Sequence, residues 1–144
     1  MKALKPEHSR ISQKDWVWLT KAMAKPPQGN RNQYIYSTGT DCYSLDGARV
    51  HIVRNAFLKE GYYAKDGVEV VIDLAFPLSR LKKALDECYV PTPDGGLRAT
   101  LNAEYKKQAI STANVIYIYE DWRGHRARFE LTGGREALIM GILV

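Results

Sequence analysis

Cysteine is scarce in this chain: Cys42 and Cys88 are the only two in 144 residues. Two thiols that far apart build neither a disulfide framework nor a zinc ribbon, so both are read as reduced, in a cytoplasmic setting. Long apolar runs are missing too. No window approaches the roughly 18 consecutive apolar residues of a membrane-spanning helix. The opening stretch, MKALKPEHSR, has a lysine with no apolar region behind it, so no secretory signal is expected. Histidine is equally sparse. His8, His51 and His125 sit in unrelated contexts, without an HExxH, G-x-S-x-G, phosphate-loop or paired-carboxylate spacing. No catalytic residue, metal ligand or cofactor is therefore assigned, and the chain is not expected to be an enzyme.

What is present is an ordinary globular composition, 45% apolar and 26% charged. It argues against disorder and extended coiled coil. One domain is the natural reading of the length, and a chain of this size buries roughly 68–70% of its unfolded surface without a staple. Lys and Arg number 21 against 16 Asp and Glu, a net charge of +5. That excess favours a polyanion as partner and says nothing about fold.

The first helical signal covers 12–24, with Ser12 as N-cap and Asp15 three residues on. Ile11, Trp18, Leu19, Ala22 and Met23 share its apolar face, while Lys14, Lys21 and Lys25 form a neighbouring stripe. Pro26 and Pro27 end it. The periodicity then changes. Residues 34–36 are β-rich, 37–41 read as a turn, 42–45 as a short strand, and Asp46-Gly47 as a hairpin turn. The next strand, 49–54, alternates, with Val50 and Ile52 (and Phe57 beyond) on one face against Arg49, His51 and Val53. Residues 68–74, VEVVIDL, read as a strand entered through Lys65-Asp66-Gly67.

A second helix is expected over 77–89, with Pro77 pre-set for its first position. Leu78, Leu81, Ala84, Leu85 and Cys88 make its apolar side, and Arg80, Lys82 and Lys83 lie on or beside the polar side with Asp86 and Glu87. Lys83 and Glu87 are spaced as an i, i+4 pair, which compensates part of this charge. After the loop 91–96 come a strand at 97–101 and a short helix at 103–110, then strands at 114–120, 125–131 and 136–143 joined by turns. Consecutive turn-linked strands make an antiparallel meander. The fold class expected is α+β, two amphipathic helices packed on one face of an antiparallel sheet, with the terminal GILV tied into it.

This order of elements resembles one repeating domain of the bacterial-type DNA sliding clamp, the polymerase III β-subunit family. Leu45-Asp46-Gly47-Ala48-Arg49-Val50 is similar to the T-D-G-H-R-L signature of the clamp's middle domain, with Leu for Thr and Ala for His. Residues 76–85, FPLSRLKKAL, resemble the helix after the central strand, and 114–118 through 139–143 resemble the closing hairpins and last strand. Two departures stand out. Clamp chains hold two or three such domains where one is read here, and 91–111 looks like an insertion.

The resemblance implies a clamp-like DNA-associated protein of bacteriophage or bacterial replication that binds duplex DNA without sequence preference. Lys14, Lys21, Lys25, Arg80, Lys82 and Lys83 would then meet phosphates as the clamp's inner-wall helices do. The alternative for these residues is a solvated polar face. The resemblance also marks Gly47, Arg49, Val50, Met140 and Ile142, which border the family's pocket for peptides of replication proteins. The alternative there is a hairpin turn and a core strand. A full ring would need a homo-oligomer. A third candidate is the hairpin tip of His125 with Trp122, Arg123, Arg126 and Arg128, open either to base stacking or to pairing with Glu120 or Glu130. A different class, a protein-interaction module or clamp mimic without DNA binding, stays open, as does a single-strand binder using some of the nine tyrosines.

Overall fold

The computed structural model describes residues 2–24, 31–73, 75–87, 90–92, 104–105, 107, 113–121 and 124–140. It is α+β, its strands paired antiparallel wherever a register is defined. The chain divides into two compact units, Met1–Phe76 and Pro77–Val144. Most of the expected insertion, 93–103 with 106 and 108–111, lies outside the described residues, as does the terminal GILV.

In the first unit α1 spans Gln13–Thr20, shorter than the 12–24 expected. Ser12 starts it, its hydroxyl accepting from the Asp15 amide at 3.0 Å. The chain does not leave the helical path at Thr20. It tightens, with Lys21, Ala22 and Met23 donating to carbonyls three residues back, so Ala22 remains buried. Five strands follow: β1 Ile35–Ser37, β2 Cys42–Leu45, β3 Arg49–Val53, β4 Gly61–Tyr63 and β5 Glu69–Val70, in the spatial order β5-β4-β1-β2-β3. β4 carries no clear pattern in the sequence. β5 is only a fragment of the strand expected over 68–74. The next rung would pair Val71 with Gly61, and Gly61 sits at φ +149°, where β4 leaves extended geometry.

Register explains the layering. Tyr43 lies opposite Tyr36 and Ile52, and Tyr36 opposite Tyr62, so these side chains share one face. There Phe76 stacks on Tyr36 at 4.5 Å and lies 5.7 Å from the Tyr43 ring. On the other face Cys42, Ser44, His51 and Val53 lie under α1. β2 and β3 are therefore buried on both faces, and the polar-out alternation expected for Arg49 and His51 does not hold. Trp16, absent from the expected apolar face, is fully buried; its indole N–H donates to the Lys65 carbonyl at 3.0 Å and its ring meets Tyr63 edge-on.

The second unit begins with α2, Leu78–Glu87, and its strands β6 Val90–Thr92, β7 Ala113–Asp121, β8 Gly124–Leu131 and β9 Arg135–Met140 lie in the order β6-β7-β8-β9. The expected meander is present, with β7, β8 and β9 paired in sequence. Gly133 and Gly134, at φ +76° and +78°, turn β8 into β9. Among the described residues no helix is long and apolar enough to cross a membrane.

Candidate nucleic-acid interface

Burial sorts the cations of the first unit into two sets. Lys14 and Lys21 are exposed, on a stripe bordering the α1 face where Trp16, Trp18 and Leu19 are buried. Seven residues apart, they keep nearly the same direction from the helix axis. Lys25 lies outside the described residues. On α2, Arg80, Lys82 and Lys83 are exposed while Leu85 is buried. A shallow groove along this helix is lined by Ser79, Lys82, Lys83, Asp86 and Glu87, so its charge is mixed.

The second set is turned inward. Arg49, only 7% exposed, donates from Nε to Asp46 Oδ2 at 3.2 Å and from its terminal nitrogen to the Lys21 carbonyl. Asp46 also organises the turn, its Oδ1 accepting the Ala48 and Arg49 amides at 2.9 and 3.1 Å. Gly47 is exposed at φ +94°, a conformation glycine adopts without steric cost. Val50 is buried on β3, Met140 is the last residue of β9 opposite Arg126, and Ile142 lies outside the described residues. The turn and Arg49 are thus brought together, with the guanidinium committed within the chain.

A third group was not legible as a unit. The last carbonyls of α1 need partners, as at any helix end. The Ser44 hydroxyl donates to Leu19 O at 2.6 Å, His51 Nδ1 lies 2.9 Å from Trp18 O, and Arg49 reaches Lys21 O. Three polar side chains of β2 and β3 therefore cap one helix from beneath. The carbonyl acceptor assigns the proton to Nδ1 of His51, leaving Nε2 without a hydrogen-bond partner among the described residues. The imidazole is wholly buried, stacked on Trp18 at 4.1 Å with 17° between the planes. Burial, above all, drives its pKa down to about 4, with help from Arg49 and Lys21 and against the Trp18 carbonyl and Asp46. The clue in the sequence was Ser44 and His51, polar residues that the Asp46-Gly47 turn sets opposite each other between apolar neighbours.

The same device recurs on α2. Arg128 of β8 donates to the Leu85 carbonyl at 3.3 Å and pairs with Glu130 and Glu136, each at 3.4 Å. It is therefore a helix-capping and ion-paired residue. At the hairpin tip His125 stands opposite Glu120 in the ladder, while Trp122 and Arg123 lie outside the described residues. Cys42 is fully buried, and burial pushes its thiol up to about 12, so it is chemically quiet at neutral pH. Cys88 lies outside the described residues. Tyr36 of β1, Tyr43 of β2 and Tyr62 of β4 cluster about Phe76, and Tyr63 of β4 meets Trp16.

Compared with protein-family models, curated proteins and solved structures, the chain matches none.

Proposed function

We propose that the chain is a clamp-like, DNA-associated protein of phage or bacterial replication that binds duplex DNA through phosphate contacts, without reading sequence. The observation that carries the reading is the exposed stripe of Lys14 and Lys21, bordering the side of α1 that is seated on β2 and β3. Long cations held on a rigid helix meet phosphates in any sequence, and each contact releases a counterion. On the second unit, Arg80, Lys82 and Lys83 of α2 are exposed and are assigned phosphate contacts of their own. The clamp-like architecture, homo-oligomeric assembly, cytoplasmic location and contact with replication proteins belong to the same proposal.

Fluorescence anisotropy with two unrelated duplexes at low salt tests it. Both should bind with equal affinity. Changing Lys14→Glu and Lys21→Glu together should remove most binding and lower the slope of log K against log salt by about 2. Unchanged affinity in the double variant sinks the phosphate-face assignment. A second reading, an interaction module or clamp mimic that leaves DNA alone, is favoured by Asp86 and Glu87 beside the α2 cations. It predicts no anisotropy change with either duplex.

A further inference from the structure

Among the described residues, the outer edge of the first unit is poorly protected. β5 is the last strand of its row, and only Glu69 and Val70 are paired. Yet the sequence from 68 to 73, VEVVID, is strongly β-prone. Val71 is 99% exposed and Val68 58%. Natural edge strands are usually blunted by lysine, proline or a covering loop. None of these interrupts 68–73, whose only charges are acidic.

The backbone is also aimed for pairing. The turn into β5 closes with the Ala64 amide on the Val68 carbonyl at 2.9 Å. Hydrogen-bonded and non-bonded pairs alternate from there, so the Tyr62–Val70 rung is bonded and Glu69 directs its N–H and C=O away from β4. Continued in extended form, Val71 does the same. Glu69, Val71 and Asp73 fall on one face, two residues apart. Glu69 and Asp73 are exposed, and across 59–73 four acids face two lysines in a chain that is otherwise basic. The ion pair of Glu69 with Lys59, 3.4 Å long with the lysine in solvent, is easily exchanged for another cation.

From these features we infer that the 68–73 edge is a docking site for an extended segment of a partner protein, added as a further strand. The segment carries a lysine or arginine two residues to either side of a β-branched residue. Main-chain bonds supply the affinity, and the Glu69, Val71 and Asp73 row supplies the selection. A second copy of this chain is the poorer occupant, because it would bring two sets of the same acids into one seam.

The probe is the blocked peptide Thr-Lys-Thr-Val-Thr-Lys-Thr, titrated into the full chain and followed by amide chemical shifts. Shifts centred on Glu69 and Val71 are expected. The peptide with Glu in place of Lys should bind at least about tenfold more weakly, and the preference should invert in the Glu69→Lys, Asp73→Lys variant. Val71→Pro removes one outward N–H at a position outside the ladder, so it should abolish binding with the thermal midpoint unchanged. Absence of shifts at millimolar peptide overturns the inference, as does equal affinity for both peptides. Doubling of mass by light scattering, with the same amides shifted before any peptide is added, assigns the edge to a second copy and overturns it too.

Discussion

Acidification should weaken this protein through one imidazole. His51 goes from an ordinary pKa of 6.5 in the unfolded chain to about 4 in the folded one. Between those values only the unfolded chain takes up the proton, so stability is complete above about pH 6.5 and falls as the pH drops toward 4. At pH 4.5 the loss amounts to about 2–3 kcal/mol relative to pH 7.5, from the two pKa values alone. Carboxylates also respond to acid, so the comparison needs a variant. His51→Asn retains a donor toward the Trp18 carbonyl, 2.9 Å from Nδ1, while deleting the titrating base. Urea unfolding of both proteins at several pH values is the assay. The variant starts less stable, having lost the stacked ring, but the gap should narrow by about 2–3 kcal/mol between pH 7.5 and 4.5. Parallel stability curves would refute the claim that the buried imidazole stays neutral.

Other expected outcomes concern the same framework. Arg49→Ala strips a cap from α1 and strands Asp46, so urea unfolding should show a loss of about 3 kcal/mol, with Arg49→Lys recovering only part. Gly67→Ala should lower the thermal midpoint by more than the equivalent of about 1 kcal/mol, since the position lies at φ +83° and a Cβ would stand 2.6 Å from the Leu4 carbonyl oxygen. Trp16→Phe keeps an aromatic ring but loses the bond to the Lys65 carbonyl, a cost of about 1 kcal/mol or more by the same measurement. In the native protein Cys42 should react with a thiol reagent only as fast as the chain opens, and immediate labelling of that residue at neutral pH would contradict its burial.

Local signals were read well where the local chain decides the outcome. Ser12 caps α1, the Asp46-Gly47 turn joins β2 to β3, and the turn at 132–134 leads β8 into β9. Reading failed where a partner decides. Residues 68–74 have the composition of a seven-residue strand, but only Glu69 and Val70 are paired, with Tyr63 and Tyr62 of β4. Trp16 lies off the helical stripe and is buried because the β4-β5 turn reaches it through the Lys65 carbonyl. Of the candidate site, the exposure of Lys14, Lys21, Arg80, Lys82 and Lys83 followed from helical period. The commitment of Arg49 did not, because its acceptor lies 28 positions away in sequence.

The sequence by itself determined the α+β class, both helices, the hairpin turns and the surplus of positive charge. These rest on propensity, capping and tight-turn chemistry, each acting over a few neighbouring residues. Only the tertiary structure decided that Ser44, Arg49 and His51 belong inside, and that Val71 does not. Buried helix ends must be satisfied by whatever strands lie beneath them, and an edge exists only once the strand order is set.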